Sequence, residues 1–200
     1  FDANGKMIPV YIPEGTVIQG GSADENGIGP SLDFRAPLQI TGDNVAFENI
    51  EMQFSSSTSM GAVPHREIFL AGYSLTLDNV ATYLEGAGGS LGELGGSEEE
   101  LLPTVYAGGF EGTEDTAIGE EASLTVQNAN SETMFQGIYM SHDAGNDAKE
   151  SYTGNASLKI GPKITVRDGI FTQQTAENCS AAIDVTGTGN VNNITFYGNF

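Results

Sequence analysis

The chain has 200 residues, with 27 Asp and Glu against 7 Lys and Arg, so its formal net charge is −20. That balance excludes nucleic acid and anionic membrane surfaces as partners, because holding phosphates or acidic headgroups depends on clustered Lys and Arg. A single cysteine, Cys179, rules out an intrachain disulfide, and no His or Cys spacing offers a tetrahedral zinc site.

Hydrophobic residues make up 38 % of the chain, and 27 Gly stand among many Ser, Thr and Asn, a mixture that favours strands and turns over helices. No run approaches the roughly 18 apolar residues needed to span a bilayer. Two kinds of block recur along the chain, and the first is an alternating strand that usually ends in Gly, at 38–42, 68–72, 105–109, 138–142 and 183–187. The second follows it as apolar-x-apolar-x and then Asn, Asp or Gly, at 45–50, 75–80, 124–129, 164–169 and 194–199. The helix-like stretch is 97–102, with Ser97 as N-cap, Glu98 to Glu100 in the first turn and Pro103 as the stop.

Alternation over four or five positions makes a strand with one buried face. Gly permits the positive φ of a tight corner, and Asn tolerates the left-handed conformation while its amide bonds nearby backbone. Strand, corner, strand, corner describes a coil. Unequal spacing between copies is expected of a solenoid, because extra residues leave at the corners without disturbing the stack. Asn49, Asn79 and Asn128 are expected to stack as an inward ladder that Asp168 and Gly198 interrupt. The alternative is an antiparallel β-sandwich, which also alternates and also turns on Gly, but gives no reason for one two-strand cassette to recur in order.

The segments 13–21 and 40–50 carry a resemblance: Pro13-Glu14-Gly15-Thr16-Val17-Ile18-Gln19, and Ile40-Thr41-Gly42-Asp43-Asn44-Val45 running on to Glu48-Asn49-Ile50. Their phrasing resembles the right-handed parallel β-helix of the pectate-lyase-like superfamily, and 103–110 is similar to segments of large cell-surface β-helix proteins of gut bacteria. The resemblance covers about 13–200 and rests on repeat grammar. It implies an all-β, right-handed parallel β-helix solenoid with long corner insertions. One β-helix domain over 1–200 is expected, part of a longer chain, with an acidic Gly-rich insertion at 85–121 and a second insertion at 141–157. The superfamily includes lyases, glycoside hydrolases, adhesins and binding repeats, so the fold alone does not choose among them.

Chemistry-bearing residues are few. The acidic insertion reads as a solvated loop, with Glu111, Glu114 and Asp115 as weak calcium donors. A second calcium candidate gathers Asp143, Asn146 and Asp147 around Gly145, and a third lies at 24–27. None has EF-hand spacing, so calcium is the one cofactor the residues allow and none is required. As catalysts the sharpest candidates are His142 with Asp143, and Arg66 with His65: on one face they would recognise a uronate, with His as acid or base. A lyase of this fold is expected to use several Lys and Arg, however, and the chain holds only Lys6, Arg35, Arg66, Lys149, Lys159, Lys163 and Arg167. Phe69, Tyr73, Tyr83, Tyr106, Phe110, Phe135 and Tyr139 fall in the middle repeats, either as stacked packing or as a platform for sugar rings. The expectation is therefore a non-catalytic extracellular module of a bacterial surface or secreted protein, adhesin-like or structural, touching host or dietary glycans or surface proteins. The alternative is a carbohydrate-active enzyme, a polysaccharide lyase or glycoside hydrolase, acting at the face that holds His142, Asp143 and Arg66.

Overall fold

A strand with apolar residues at alternate positions buries one face only when another layer covers it, and here the covering layers come from the same short phrase repeated. The computed structural model describes residues 8–21, 30–54, 66–82, 102–110, 118–129, 133–140, 154–161, 164–171, 181–185 and 196–197. In a first pass the chain forms β1 (Val10–Ile12), β2 (Val17–Gln19) and β3 (Ser31–Phe34), and in a second β4 (Leu38–Ile40), β5 (Val45–Glu48) and β6 (Glu51–Phe54). Later passes give β7 (Glu67–Phe69) and β8 (Ser74–Asp78), β9 (Thr104–Tyr106) and β10 (Glu121–Gln127), β11 (Met134–Tyr139) and β12 (Asn155–Ile160), then β13 (Thr165–Phe171) and β14 (Ala181–Val185), with β15 (Phe196–Tyr197) last. The protein is all-β, with no helix among the described residues.

Each pass feeds the same sheets in the same order. Sheet A runs β1-β4-β7-β9-β11-β13-β15, sheet B runs β2-β5-β8-β10-β12-β14, and sheet C pairs β3 with β6. The pairs registered between these strands are parallel. On the third pass sheet C narrows to a bridge between Glu51 and Ala81. Beyond it, threonine side chains continue the contact: Thr133 Oγ1 donates to Val80 O at 2.9 Å, and Met134 N donates to Thr82 Oγ1 at 2.8 Å. This stacking of parallel sheets is compatible with a parallel β-helix.

Register turns the repeats into columns. Val45, Leu75, Leu124 and Leu158 stack in sheet B, as do Phe47, Leu77, Val126 and Ile160, while Leu38, Ile68, Val105 and Ile138 stack in sheet A. All are buried in one core cluster that also takes in Phe34, Met52 and Phe54 of sheet C. Each such aliphatic side chain contributes about 1.5–3 kcal/mol by leaving water.

The corners follow the sequence closely. Asn49, Asn79 and Asn128, each just past a sheet B strand, have φ of 52°, 51° and 50°. The ladder they form sits at a half-buried to exposed corner, outside the core cluster. Asn79 Nδ2 donates to Asn49 Oδ1 at 3.0 Å, but Asn128 Nδ2 turns to Asp78 Oδ1 at 2.7 Å. Between sheets A and B the chain turns on Gly15 (φ 69°), Asn44 (φ 61°) and the Ala71-Gly72 pair (φ 49° and 76°). Gly42 is needed for close approach instead, since a Cβ there would stand 2.5 Å from Glu14 Cβ.

The later cassettes need correction. Residues 164–169 and 194–199 enter sheet A through β13 and β15, and 183–187 enters sheet B through β14, the reverse of the order expected from the repeat. Asp168 therefore lies within β13 and not at the Asn corner, while Gly198 lies outside the described residues. The true partner of β10 is β12, whose Leu158 lies beside Leu124. Both kinds of block read as alternating apolar residues, and where the sequence has Gly161-Pro162 in place of Gln127-Asn128 the signal that tells them apart is gone. β12 also begins at Asn155, inside the insertion expected at 141–157.

Candidate functional site

Outward positions of sheet A between β7 and β11 gather the polar and aromatic groups that the core excludes. Ile68, Val105 and Ile138 point inward, so their neighbours Phe69, Tyr106 and Tyr139 form a column on the other face. Parallel strands about 4.8 Å apart impose that spacing on side chains in register. The rings of Phe69 and Tyr106 stack at 5.3 Å and 18°, those of Tyr106 and Tyr139 at 5.0 Å and 6°. Gly137 makes room for the last ring, because a Cβ there would lie 2.9 Å from it.

A strap closes one end of the column. After β9 the chain runs through Ala107 to Phe110 and folds back over the sheet. Phe110 N donates to Gln39 Oε1 at 2.9 Å, and its ring meets Phe69 edge-on at 5.4 Å and 72°. Gln39 and Phe69 are consequently sealed, at 0 % and 1 % exposure, although both belong to the outer face. Ala71 and Gly72 hold the strap at its base, donating to Gly108 O at 3.0 Å and Ala107 O at 2.9 Å. Ala71 O and Gly72 O also receive the returning chain from Gly119 N and Glu121 N. Gly72 and Gly119 touch backbone to backbone, where a Cβ on Gly119 would lie 2.3 Å from Gly72 O.

Glu67 opens β7 two residues before Phe69, in register with Thr104 and Gly137 beside the column, and Arg66 precedes it; both are half-buried, with Arg66 Nη1 and Glu67 Oε2 shielded from water. Burial pushes the Tyr106 phenol well above the ordinary tyrosine range, Tyr139 and Glu67 add to the rise, and Arg66 opposes it. Tyr106 therefore keeps its proton at neutral pH and acts as a hydrogen-bond donor, which makes it a poor general base. Because the faces of the rings are engaged with one another, edges and hydroxyls are what Tyr106 offers to a ligand. A flat platform for sugar rings is not what Phe69 and Tyr106 make.

Of the other aromatic residues singled out in the sequence, Phe135 is core, Tyr73 packs against it, and Tyr83 lies outside the described residues. His65, His142, Asp143, Asn146 and Asp147 lie outside them too, as do Glu111, Glu114, Asp115, Cys179 and the segment 24–27. Among the catalytic candidates, Arg66 alone falls within the described residues, just before β7, while β11 ends at Tyr139, upstream of His142. Among the described residues no three His, Cys, Asp or Glu come close enough to hold a metal, and no helix is long and apolar enough to cross a membrane. Gln39, Thr104 and Gly137 belong to this face without having stood out in the sequence. Gln39 is signalled by its place between the core residues Leu38 and Ile40 of an alternating strand, whereas Thr104 and Gly137 are each marked only by the core residue that follows, Val105 and Ile138.

Sheet B presents a different outer face. Ser74, Ser123 and Ser157 lie in register, with Ser157 Oγ donating to Ser123 Oγ at 3.0 Å, and Thr76, Thr125 and Lys159 form the next column. A third column runs Gln19, Glu48, Asp78, Gln127. There Gln19 Nε2 donates to Glu48 Oε2 at 3.0 Å and Gln127 Nε2 to Asp78 Oδ2 at 2.8 Å.

No protein-family model matches the chain, and no match to it is found among curated proteins or among solved structures. What the fold itself defines is a class: an all-β protein of stacked parallel sheets.

Proposed function

We propose that the chain is a right-handed parallel β-helix of the pectate-lyase-like kind, serving as a non-catalytic extracellular module of a bacterial surface or secreted protein, adhesin-like or structural. The observation that carries this reading is the repetition of the outer face of sheet B, with Ser74, Ser123 and Ser157 beside Thr76 and Thr125. A surface that repeats from strand to strand suits an extended repeating partner such as a glycan, or the mechanical role of a stalk. A reacting bond needs instead a single convergent set of groups. Short hydroxyls held on a rigid sheet form hydrogen bonds to sugar hydroxyls with little loss of side-chain entropy.

The test is a glycan-array and acidic-polysaccharide binding screen, run with calcium and with chelator, alongside ultraviolet detection of unsaturated uronate products. Binding without product, weakened by Thr76→Lys or Thr125→Lys, is the expected result. Product formation would overturn the reading and favour the second one, a carbohydrate-active enzyme. That alternative draws its support from Arg66, Glu67, Tyr106 and Tyr139, which share the strapped face of sheet A. In that case Arg66→Ala should abolish turnover.

A further inference from the structure

We propose that the outer face of sheet B selects a polysaccharide bearing free amino groups, held along the Ser and Thr columns with its ammonium groups against Glu48 and Asp78 on one side and Glu121 on the other. This rests on the reading of sheet B as a glycan-contacting face and adds the chemical class of the glycan. The face lies along the flank of the stacked strands, so a further pass at either end would lengthen it without covering it. Glu121, Gln127, Ser157 and Lys159 are exposed there.

Outward positions of β5, β8, β10 and β12 hold three carboxylates, Glu48, Asp78 and Glu121, against one cation, Lys159. Register sets Glu48 beside Asp78 in one column and leaves Glu121 at the opposite end of β10, so the Ser and Thr columns run between acidic margins. Amides orient the pair without cancelling its charge: Gln19 donates to Glu48, and Gln127 and Asn128 donate to Asp78. Lys159 stands two strands and one column from Asp78, about 12 Å away, which exceeds the screening length of about 8 Å in physiological salt. Like charges in register weaken a strand pair, and neutral polar residues would serve the fold better there, which marks the pair as serving a partner.

Chemistry then narrows the partner. A protein would need aromatic or aliphatic anchors at the centre of its contact, and no outward position of β5, β8, β10 or β12 carries one. A calcium ion takes about six to eight oxygen ligands, whereas no three acidic, His or Cys groups gather to hold a metal among the described residues. A uronate would meet three carboxylates on a chain of net charge −20. An amino-sugar polymer supplies hydroxyls for the Ser and Thr columns and ammonium groups for the margins. At half-exposed and exposed positions neither charge has to be fully dehydrated.

Isothermal titration calorimetry with glucosamine oligosaccharides, their N-acetylated counterparts and oligogalacturonate tests the proposal, with chelator and in mildly acidic buffer that keeps the sugar amines charged. Glucosamine oligomers are expected to bind at least tenfold tighter than the N-acetylated ones, with oligogalacturonate weakest, and the preference should shrink as salt is raised. Glu48→Gln and Asp78→Asn should each weaken glucosamine-oligomer binding about threefold, with an unchanged circular-dichroism spectrum. Glu14→Gln, which removes the same charge at the exposed corner before β2, should leave binding as it was. N-acetylated oligomers bound as tightly as the amines, or oligogalacturonate bound tightest, would overturn the selectivity and leave the glycan reading standing. Equal losses for Glu14→Gln and Glu48→Gln would also overturn it, since binding would then follow net charge and not the face. Silence from all three oligomers would overturn the proposal, and silence across the glycan array as well would take the underlying reading with it.

Discussion

Sheets A and B are built by the same parallel stacking on the same core, yet their outer faces differ in kind. Sheet A carries aromatic rings stacked on one another and sealed at one end by Phe110, so that Phe69 is as buried as any core residue. Sheet B carries hydroxyls, amides and carboxylates that face outward. The difference arises at the corner after β9, where the chain folds back across the sheet before β10. Backbone regularity therefore sets the columns, while one corner decides which columns meet solvent.

The contrast breaks most directly at Phe69. Phe69→Ala should destabilise the protein by about 3–5 kcal/mol, as for an aromatic residue of the core, whereas Thr76→Ala on sheet B should stay within about 0.5 kcal/mol; urea denaturation of both variants checks this. Equal effects would mean that the strap does not seal the face.

Alkaline titration separates the faces next. The folded pKa of Tyr106 is raised, chiefly by burial, so above the ordinary phenol value of about 10 the unfolded chain loses a proton that the fold retains. Stability attributable to Tyr106 is then full below that pH and falls as pH rises beyond it. Tyr106→Phe keeps the stacked ring and should flatten this part of the stability–pH curve, followed by thermal denaturation at a series of alkaline pH values.

At the Asn corner, Asn79→Ala should cost about 1–2 kcal/mol, through the left-handed φ that Ala resists and the lost bond to Asn49. Asn79→Gly should recover the backbone part, and the two melting curves together apportion the effect. The smallest change is expected on sheet B, where Glu48 and Asp78 are cross-strand neighbours of like charge. Glu48→Gln keeps an acceptor for Gln19 and should stabilise by about 0.2–1 kcal/mol in low salt, less in high salt.

The strands of both sheets are readable wherever a corner residue announces them. Asn49, Asn79 and Asn128 mark the ends of β5, β8 and β10 because few side chains other than Gly accept that conformation. β12 escapes notice since the sequence has Gly161-Pro162 where Gln127-Asn128 would be matched, although the triplet Ser157-Leu158-Lys159 echoes Ser74-Leu75-Thr76 and Ser123-Leu124-Thr125. β13 and β15 fall to the wrong sheet for the same reason. Alternation tells which residues are inward, but carries no label for the sheet. The strapped face is harder to foresee, because Gln39 and Phe110 are far apart in sequence and meet only through the fold-back after β9. Arg66 beside Tyr106 can be suspected only as a residue type, not as a neighbour.

The clasp made by Ala71 and Gly72 has a consequence for how such a chain can change. Four backbone hydrogen bonds from these two residues hold both the departing strand at Ala107 and Gly108 and the returning one at Gly119 and Glu121. What is spliced between those points does not alter the register of β9 or β10, and the entropy of closing a longer excursion rises only with the logarithm of its length. The position is a port: foreign peptide spliced between Phe110 and Ile118 should leave the stack on either side of it in alignment.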